Sequence, residues 1–149
     1  MSVENDLMKL YSQRILALAA DMPRTYRLTN PTCTAKKRAP LCGSTVTVDV
    51  TLLNGIISDY GQDVKACALG QATASVVGAV IVGLTPATVQ TARDQMMAML
   101  KHNGPVPLAP FDGLEVLRPA SEYKNRHASI LLAFDATLDA ISSIEADRT

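Results

Sequence analysis

The residues of this chain best suited to chemistry are two cysteines that flank a predicted β-hairpin. Cys42 and the glycine after it close a short loop before an alternating apolar segment, and Cys67 opens a helix rich in small residues 25 positions later. The pair Asn54-Gly55 lies between them and favours a two-residue turn. This arrangement brings both thiols to one edge of a small sheet, where a metal ion or a transferred sulfur atom could be held.

The local sequence favours reactivity at both positions. Gly43 permits the backbone to come close to whatever the Cys42 sulfur binds. The unpaired N–H groups and the dipole of a helix N-terminus favour the thiolate of Cys67, the form that binds metals and accepts sulfur. The alternative for each cysteine is a buried, inert side chain that behaves as a small hydrophobe.

Two further residues are candidates for the same site. Cys33 lies in a segment rich in proline and threonine, which favours an incidental loop thiol; the alternative is a resolving thiol or substitute ligand that reaches Cys42. His127, at the start of the last predicted helix, could be a third ligand or a proton shuttle, or an ordinary partly buried histidine. The sequence contains no G-x-S-x-G, no phosphate-binding glycine loop and no H-E-x-x-H, so it does not indicate a hydrolase.

The predicted elements place these residues on an α+β fold. Alternation over 45–52 indicates a half-buried strand, 56–60 the return strand of the hairpin, and 63–66 the start of a third strand. Segment 21–41, with its basic run at 36–38, is predicted to be an irregular surface loop. Apolar spacing and capping signals predict helices, in order, at 2–20, 68–82, 86–101, 111–117 and 122–144. We therefore expect one domain over 1–149, with a small antiparallel sheet of about three strands covered on one face by helices.

The overall composition narrows the class of protein. Fourteen basic residues balance 14 acidic ones among 149, so nothing in the chain attracts nucleic acid at long range. The odd count of three cysteines and the acidic, interrupted N-terminal segment argue against a secreted disulfide protein. The longest apolar run, 76–84, is too short to cross a bilayer. These features predict a cytoplasmic protein that does not enter a membrane.

The cysteine motifs resemble those of the NifU/IscU/SufU iron–sulfur cluster scaffold proteins. Cys42-Gly43 matches the start of the family motif C-G-D, and the segment CALGQATAS at 67–75 is similar to G-C-x-x-S-x-A-S. Pro23-Arg24 and Leu28 are similar to the family segment N-P-R-N-x-G-x-L. The resemblance covers about 11–140, and the stretch 101–123 ahead of Arg126 is most similar to the SufU branch, which carries an insertion there and an R-x-x-C motif.

The resemblance also shows where the ligand set departs from the family. Ser44 stands at the aspartate of C-G-D, Ser129 at the third cysteine, and Ala66 at the glycine before the second cysteine. Cys42 and Cys67 are the ligand positions that match. A zinc site or a [2Fe–2S] cluster takes about four protein donors, mostly thiolates. Completing such a site would require His127, Cys33, water or a partner's thiol.

The function that the resemblance implies is a scaffold for iron–sulfur cluster assembly or a sulfur acceptor, and not an enzyme beyond a persulfide-transfer step. Such a protein receives sulfur from a cysteine desulfurase, with Cys67 or Cys42 as acceptor and the other as second ligand. It then holds a transient Fe–S cluster, or zinc, and serves cluster-accepting proteins. One alternative is a degenerate member that binds and regulates the assembly machinery without metal. Another is a thiol-based zinc protein with an unrelated role.

Overall fold

The computed structural model describes residues 11–41 and 43–147 of the chain. Two 3-10 segments, Asp112–Glu122 and Lys124–Arg126, lead into the last helix. The helices and strands are, in order, α1 Gln13–Ala20, β1 Cys33–Arg38, β2 Thr45–Leu53, β3 Ile56–Lys65, α2 Ala68–Val80, α3 Pro86–His102 and α4 His127–Asp147. The predicted α+β class is confirmed. Of the helix predicted at 2–20, α1 is the described part, capped by the Ser12 hydroxyl; residues 1–10 lie outside the described residues.

The sheet is antiparallel in the order β1-β2-β3. The predicted hairpin is confirmed: Asn54 and Gly55 have φ of 54° and 78°, as a type I′ turn requires. Thr45, the first residue of β2, lies opposite Arg38 at the end of β1 and opposite Lys65 at the end of β3. The loop between β1 and β2 and the entry to α2 therefore meet at one end of the sheet.

The structure corrects the third strand. The second half of the predicted loop 21–41 forms β1, whereas residues 63–65 continue β3. The basic run lies on this edge strand: Lys36 and Arg38 are exposed, and Lys37 pairs with Asp139 of α4 at 3.2 Å. Charged side chains are typical of an edge strand because they discourage pairing with another chain. Strand β1 forms because it pairs with β2, and the local sequence does not reveal this pairing.

Helix α4 forms the centre of the core. It packs on β1 and β2, and the buried hydroxyl of Tyr60 on β3 lies 3.0 Å from that of Thr137. By length and composition alone the segment Lys124–Ile144 could cross a membrane, but 61% of its apolar window is buried inside the protein. Burial of each large apolar side chain contributes about 1.5–3 kcal/mol. The segment therefore has the character of a core helix.

The other face of the sheet is covered by the chain between α1 and β1. Asp49 on β2 is fully buried there, and its carboxylate accepts hydrogen bonds from the Arg27 guanidinium at 2.6 and 3.0 Å and from the Leu28 N–H at 3.0 Å. The hydroxyl of Thr34 adds a bond of 2.6 Å. Opposite Asp49, a side chain on Gly61 would collide with the Tyr26 carbonyl. The carboxylate thus anchors an otherwise irregular segment.

Candidate functional site

The loop between β1 and β2 brings one side of the site to the end of the sheet. The Ala39 N–H donates to the Ser44 carbonyl at 2.9 Å, and the Gly43 N–H donates to the Ala39 carbonyl at 3.0 Å. Gly43 has φ of +71°, a left-handed conformation that glycine adopts without strain. The loop is therefore tightly closed around Ser44. Cys42, its predicted acceptor thiol, lies outside the described residues.

Cys67 and the two serines meet at this end of the sheet. Cys67 is the N-cap residue of α2 and is partly exposed. Its Sγ lies 3.5 Å from the Oγ of Ser129, on the first turn of α4, and Ser129 donates to the Ser44 Oγ at 3.1 Å. Ser129 is 1% exposed and Ser44 is 4% exposed. We call this row of three side chains the Cys67–Ser129–Ser44 row. It joins three segments that are distant in sequence.

Gly70 lets the two helices come close enough to form this row. A Cβ on Gly70 would lie 2.9 Å from the Ser129 Oγ and 3.0 Å from the Ser129 carbonyl oxygen. Gly70 follows Cys67 by three positions, so both lie on the same face of the helix N-terminus. Gly70 is not among the site residues predicted from sequence, although its spacing of three positions from Cys67 is a usable signal.

His127 lies elsewhere. It is the first residue of α4, its ring is 2% exposed, and its Nε2 lies 3.0 Å from the Ala120 carbonyl oxygen. Because a carbonyl only accepts, Nε2 is the donor in this bond. The histidine thus ties α4 to the 3-10 segment before it, and the structure does not bring it into the row.

Cys33 is also separate from the row. It lies in β1 and not in a loop, is 7% exposed, and its thiol is 3.8 Å from the Val50 carbonyl oxygen. Burial, assisted by the negative charge of Asp49, raises the pKa of the Cys33 thiol to about 11. It pairs with Val50, five residues along β2 from Thr45 and therefore about 17 Å from the site. Cys33 is a core residue.

The described donors do not complete a metal site. Within ranges 11–41 and 43–147, no group of three or more His, Cys, Asp or Glu side chains could hold a metal ion. The row itself offers one thiol and two hydroxyls. A hydroxyl stays protonated near neutral pH, whereas structural zinc and Fe–S clusters take mainly thiolates and imidazoles. The part of the site that the structure describes therefore does not fit a four-ligand metal centre.

Comparison with solved structures finds proteins with a similar fold. The crystal structure of a nitrogen-fixing NifU-like protein (N-terminal) from Brucella abortus superposes with a TM-score of 0.92 at 43% identity, over 95% of this chain and 98% of that one. A putative iron–sulfur cluster assembly scaffold protein for the SUF system from Fervidobacterium islandicum AW-1 gives a TM-score of 0.79 at 19% identity, over 89% and 97%. Known family models and curated protein sequences give no match.

Proposed function

We propose, because this chain belongs to the family of NifU-like N-terminal domains, that it is a scaffold protein of iron–sulfur cluster assembly. The SufU protein that shares its fold is described as such a scaffold. The observation that carries the proposal is the convergence of Cys67, Ser129 and Ser44, the positions that resemble the family's ligands, at one end of the sheet. A scaffold of this type is not an enzyme.

The thiols set the chemistry of the proposed scaffold. Cys67 is the sulfur acceptor, because this residue is partly exposed and lies at a helix N-terminus. Cys42 is the second thiol, because it precedes Ser44 by two positions in the sequence and matches the family motif. A cysteine desulfurase supplies the sulfur, and cluster-accepting proteins take the product. The cargo is a transient Fe–S cluster, or zinc, and its remaining ligands come from water or a partner protein. Because the protein itself supplies an incomplete set of ligands, it is better suited to transferring this cargo than to storing it.

A reducing compartment, the cytoplasm, suits this role. Cys33 and Cys67 are both free thiols in the structure. Disulfides are rare in the cytosol, where thiols are kept reduced and available.

A second candidate function is a metal-free binding partner of the assembly machinery. The two hydroxyls at ligand positions favour it, because they leave the family's metal site incomplete. This candidate predicts that the Cys42→Ala/Cys67→Ala variant still binds the desulfurase with native affinity. Calorimetric titration of the variant with desulfurase tests it, and loss of binding on thiol removal alone counts against it.

The scaffold proposal is tested by metal and sulfide content. The protein is purified anaerobically and assayed before and after incubation with iron, cysteine and a cysteine desulfurase. We expect iron and sulfide to be gained by the native chain and lost in Cys67→Ala and Cys42→Ala, with Cys33→Ala as the matched control that loads normally. Absence of both iron and sulfur from a folded native chain would instead support the metal-free candidate.

A further inference from the structure

The Ser129 hydroxyl lies between the sulfur of a partly exposed cysteine and the hydroxyl of a buried serine. It lies 3.5 Å from the Cys67 Sγ and donates to the Ser44 Oγ at 3.1 Å. Ser129 and Ser44 are 1% and 4% exposed, whereas Cys67 is only partly buried. The two serines are therefore buried, whereas Cys67 is a partly exposed residue at the edge of the row.

The direction of these hydrogen bonds is reversible. A serine has one proton to donate. While that proton points to Ser44, the Ser129 oxygen can only accept a hydrogen bond from the Cys67 S–H. This pattern of hydrogen bonds requires Cys67 to be a neutral thiol. The hydroxyl proton rotates freely about the C–O bond. Ser129 can therefore turn its proton toward the Cys67 Sγ, 3.5 Å away, without any heavy atom moving.

Hydroxyls suit a sulfur anion better than a metal ion. A neutral hydroxyl is a weak ligand, but a hydrogen bond that it donates to an anion is about twice as strong as one between neutral groups. We infer that Ser129 is a positioning residue for sulfur carried on Cys67, held in place by Ser44 and by the close approach of Gly70. This inference rests on the proposed function and specifies its cargo: among the residues that the structure describes, Cys67 holds one sulfur atom as a persulfide.

The loading step balances without an added oxidant. The Cys67 thiolate attacks the outer sulfur of a donor persulfide, R–S–SH. A new S–S bond to Cys67 forms as the donor S–S bond breaks, and the donor leaves as the thiolate R–S⁻ with the electron pair. The proton on the transferred sulfur is then lost to water, and Ser129 donates its hydrogen bond to the resulting anion.

The test measures the equilibrium loading of Cys67. Glutathione persulfide is the donor, at a fixed ratio to glutathione, and mass spectrometry of the Cys67 peptide gives the loaded fraction. Ser129→Ala should lower the equilibrium constant about ten- to a hundredfold, because a hydrogen bond to a charged group is lost. Ser44→Ala should lower it less, since Ser129 remains. The absorption band of the bound persulfide anion should shift in Ser129→Ala, which a purely structural role would not cause.

Ser75→Ala is the matched control. Ser75 is 4% exposed, lies on the same helix as Cys67, and is outside the row, so its loss should leave loading unchanged. Loading of Ser129→Ala within twofold of the native chain, with an unshifted band, would overturn the inference while leaving the scaffold function intact. A native chain that gains sulfur neither from this donor nor from the desulfurase mixture would overturn both.

A gain-of-function variant tests the same inference from the opposite side. Ser44→Asp/Ser129→Cys restores the residue types of the family motifs. We expect this variant to bind Co²⁺, used as a probe for zinc, at least a hundredfold more tightly than the native chain, with strong thiolate–cobalt absorption. Equally tight Co²⁺ binding by the native chain, abolished by Ser129→Ala, would show that the hydroxyls are metal ligands and would overturn the inference.

Discussion

The Cys67 sulfur and the Ser129 hydroxyl lie 3.5 Å apart, although 62 positions separate them in the chain. The contact joins the N-terminus of α2 to the first turn of α4 at the end of the sheet. The resemblance to the family motifs implies a third thiol at the position of Ser129. In this structure the Ser129 hydroxyl is buried close to Gly70.

Gly70 should not tolerate a side chain. In Gly70→Ala, the new Cβ would lie within 3.0 Å of Ser129 and of the Ala66 Cβ, so α2 and α4 must separate. Overpacking of this kind costs about 1–3 kcal/mol. Urea unfolding should show the loss, and alkylation of Cys67 by iodoacetamide should accelerate as the site opens. The control is Gly113→Ala, where the nearest contacts to a new Cβ are 3.8 Å away; equal effects of the two substitutions would refute the prediction.

Asp49 should make stability depend on acid pH. Burial opposes its charge, but hydrogen bonds from Arg27, Thr34 and the Leu28 N–H outweigh burial and lower the pKa of Asp49 below its ordinary value of 3.8. A carboxylate with a lowered folded pKa stabilises the fold above about pH 4 and loses this contribution as pH falls through the folded pKa. Denaturant midpoints should therefore drop below pH 4 in the native chain.

The variant Asp49→Asn isolates this contribution. The substitution removes the charge of a buried carboxylate whose ion-pair partner, Arg27, is 56% exposed and therefore partly screened by solvent. The variant should be less stable than the native chain at pH 7, and the difference should shrink as pH approaches 2. A difference that stays constant across this range would rule out Asp49 as the titrating group.

Cys33 should not react with iodoacetamide in the folded protein. Burial raises the pKa of its thiol to about 11, and only the thiolate reacts with iodoacetamide. At pH 8 we expect peptide mapping to find Cys67 alkylated and Cys33 unmodified, with Cys33 reacting once urea unfolds the chain. Early modification of Cys33 in the native protein would mean that β1 opens readily.

Local patterns predicted those parts of the fold that short-range chemistry determines. Asn54-Gly55 specifies its own turn, and Thr85-Pro86 begins a helix through a cap and a fixed φ. Strand β1 escaped prediction because Lys36 and Arg38 are extended only through pairing with β2, a contact that depends on tertiary structure.

The sequence allowed candidate residues of the site to be proposed, but it did not predict how their side chains are arranged in space. Resemblance to known motifs proposed Cys67, Ser44 and Ser129 as site residues, and the register that sets Thr45 opposite Lys65 explains why they meet. His127 was proposed as a ligand because it stands near Ser129 in sequence. On a helix, a separation of two residues turns side chains to different sides, and the histidine contacts Ala120 instead.

Locating the transferred sulfur atom tests directly whether Cys67 carries it and whether Ser129 positions it. The native chain is incubated anaerobically with a cysteine desulfurase and cysteine carrying labelled sulfur, and the persulfide is trapped by alkylation and mapped by peptide mass spectrometry. We expect labelled sulfur on the Cys67 peptide, reduced in Ser129→Ala and unchanged in Ser75→Ala. Label confined to another cysteine, or equal label at Cys67 in both variants, would contradict this expectation.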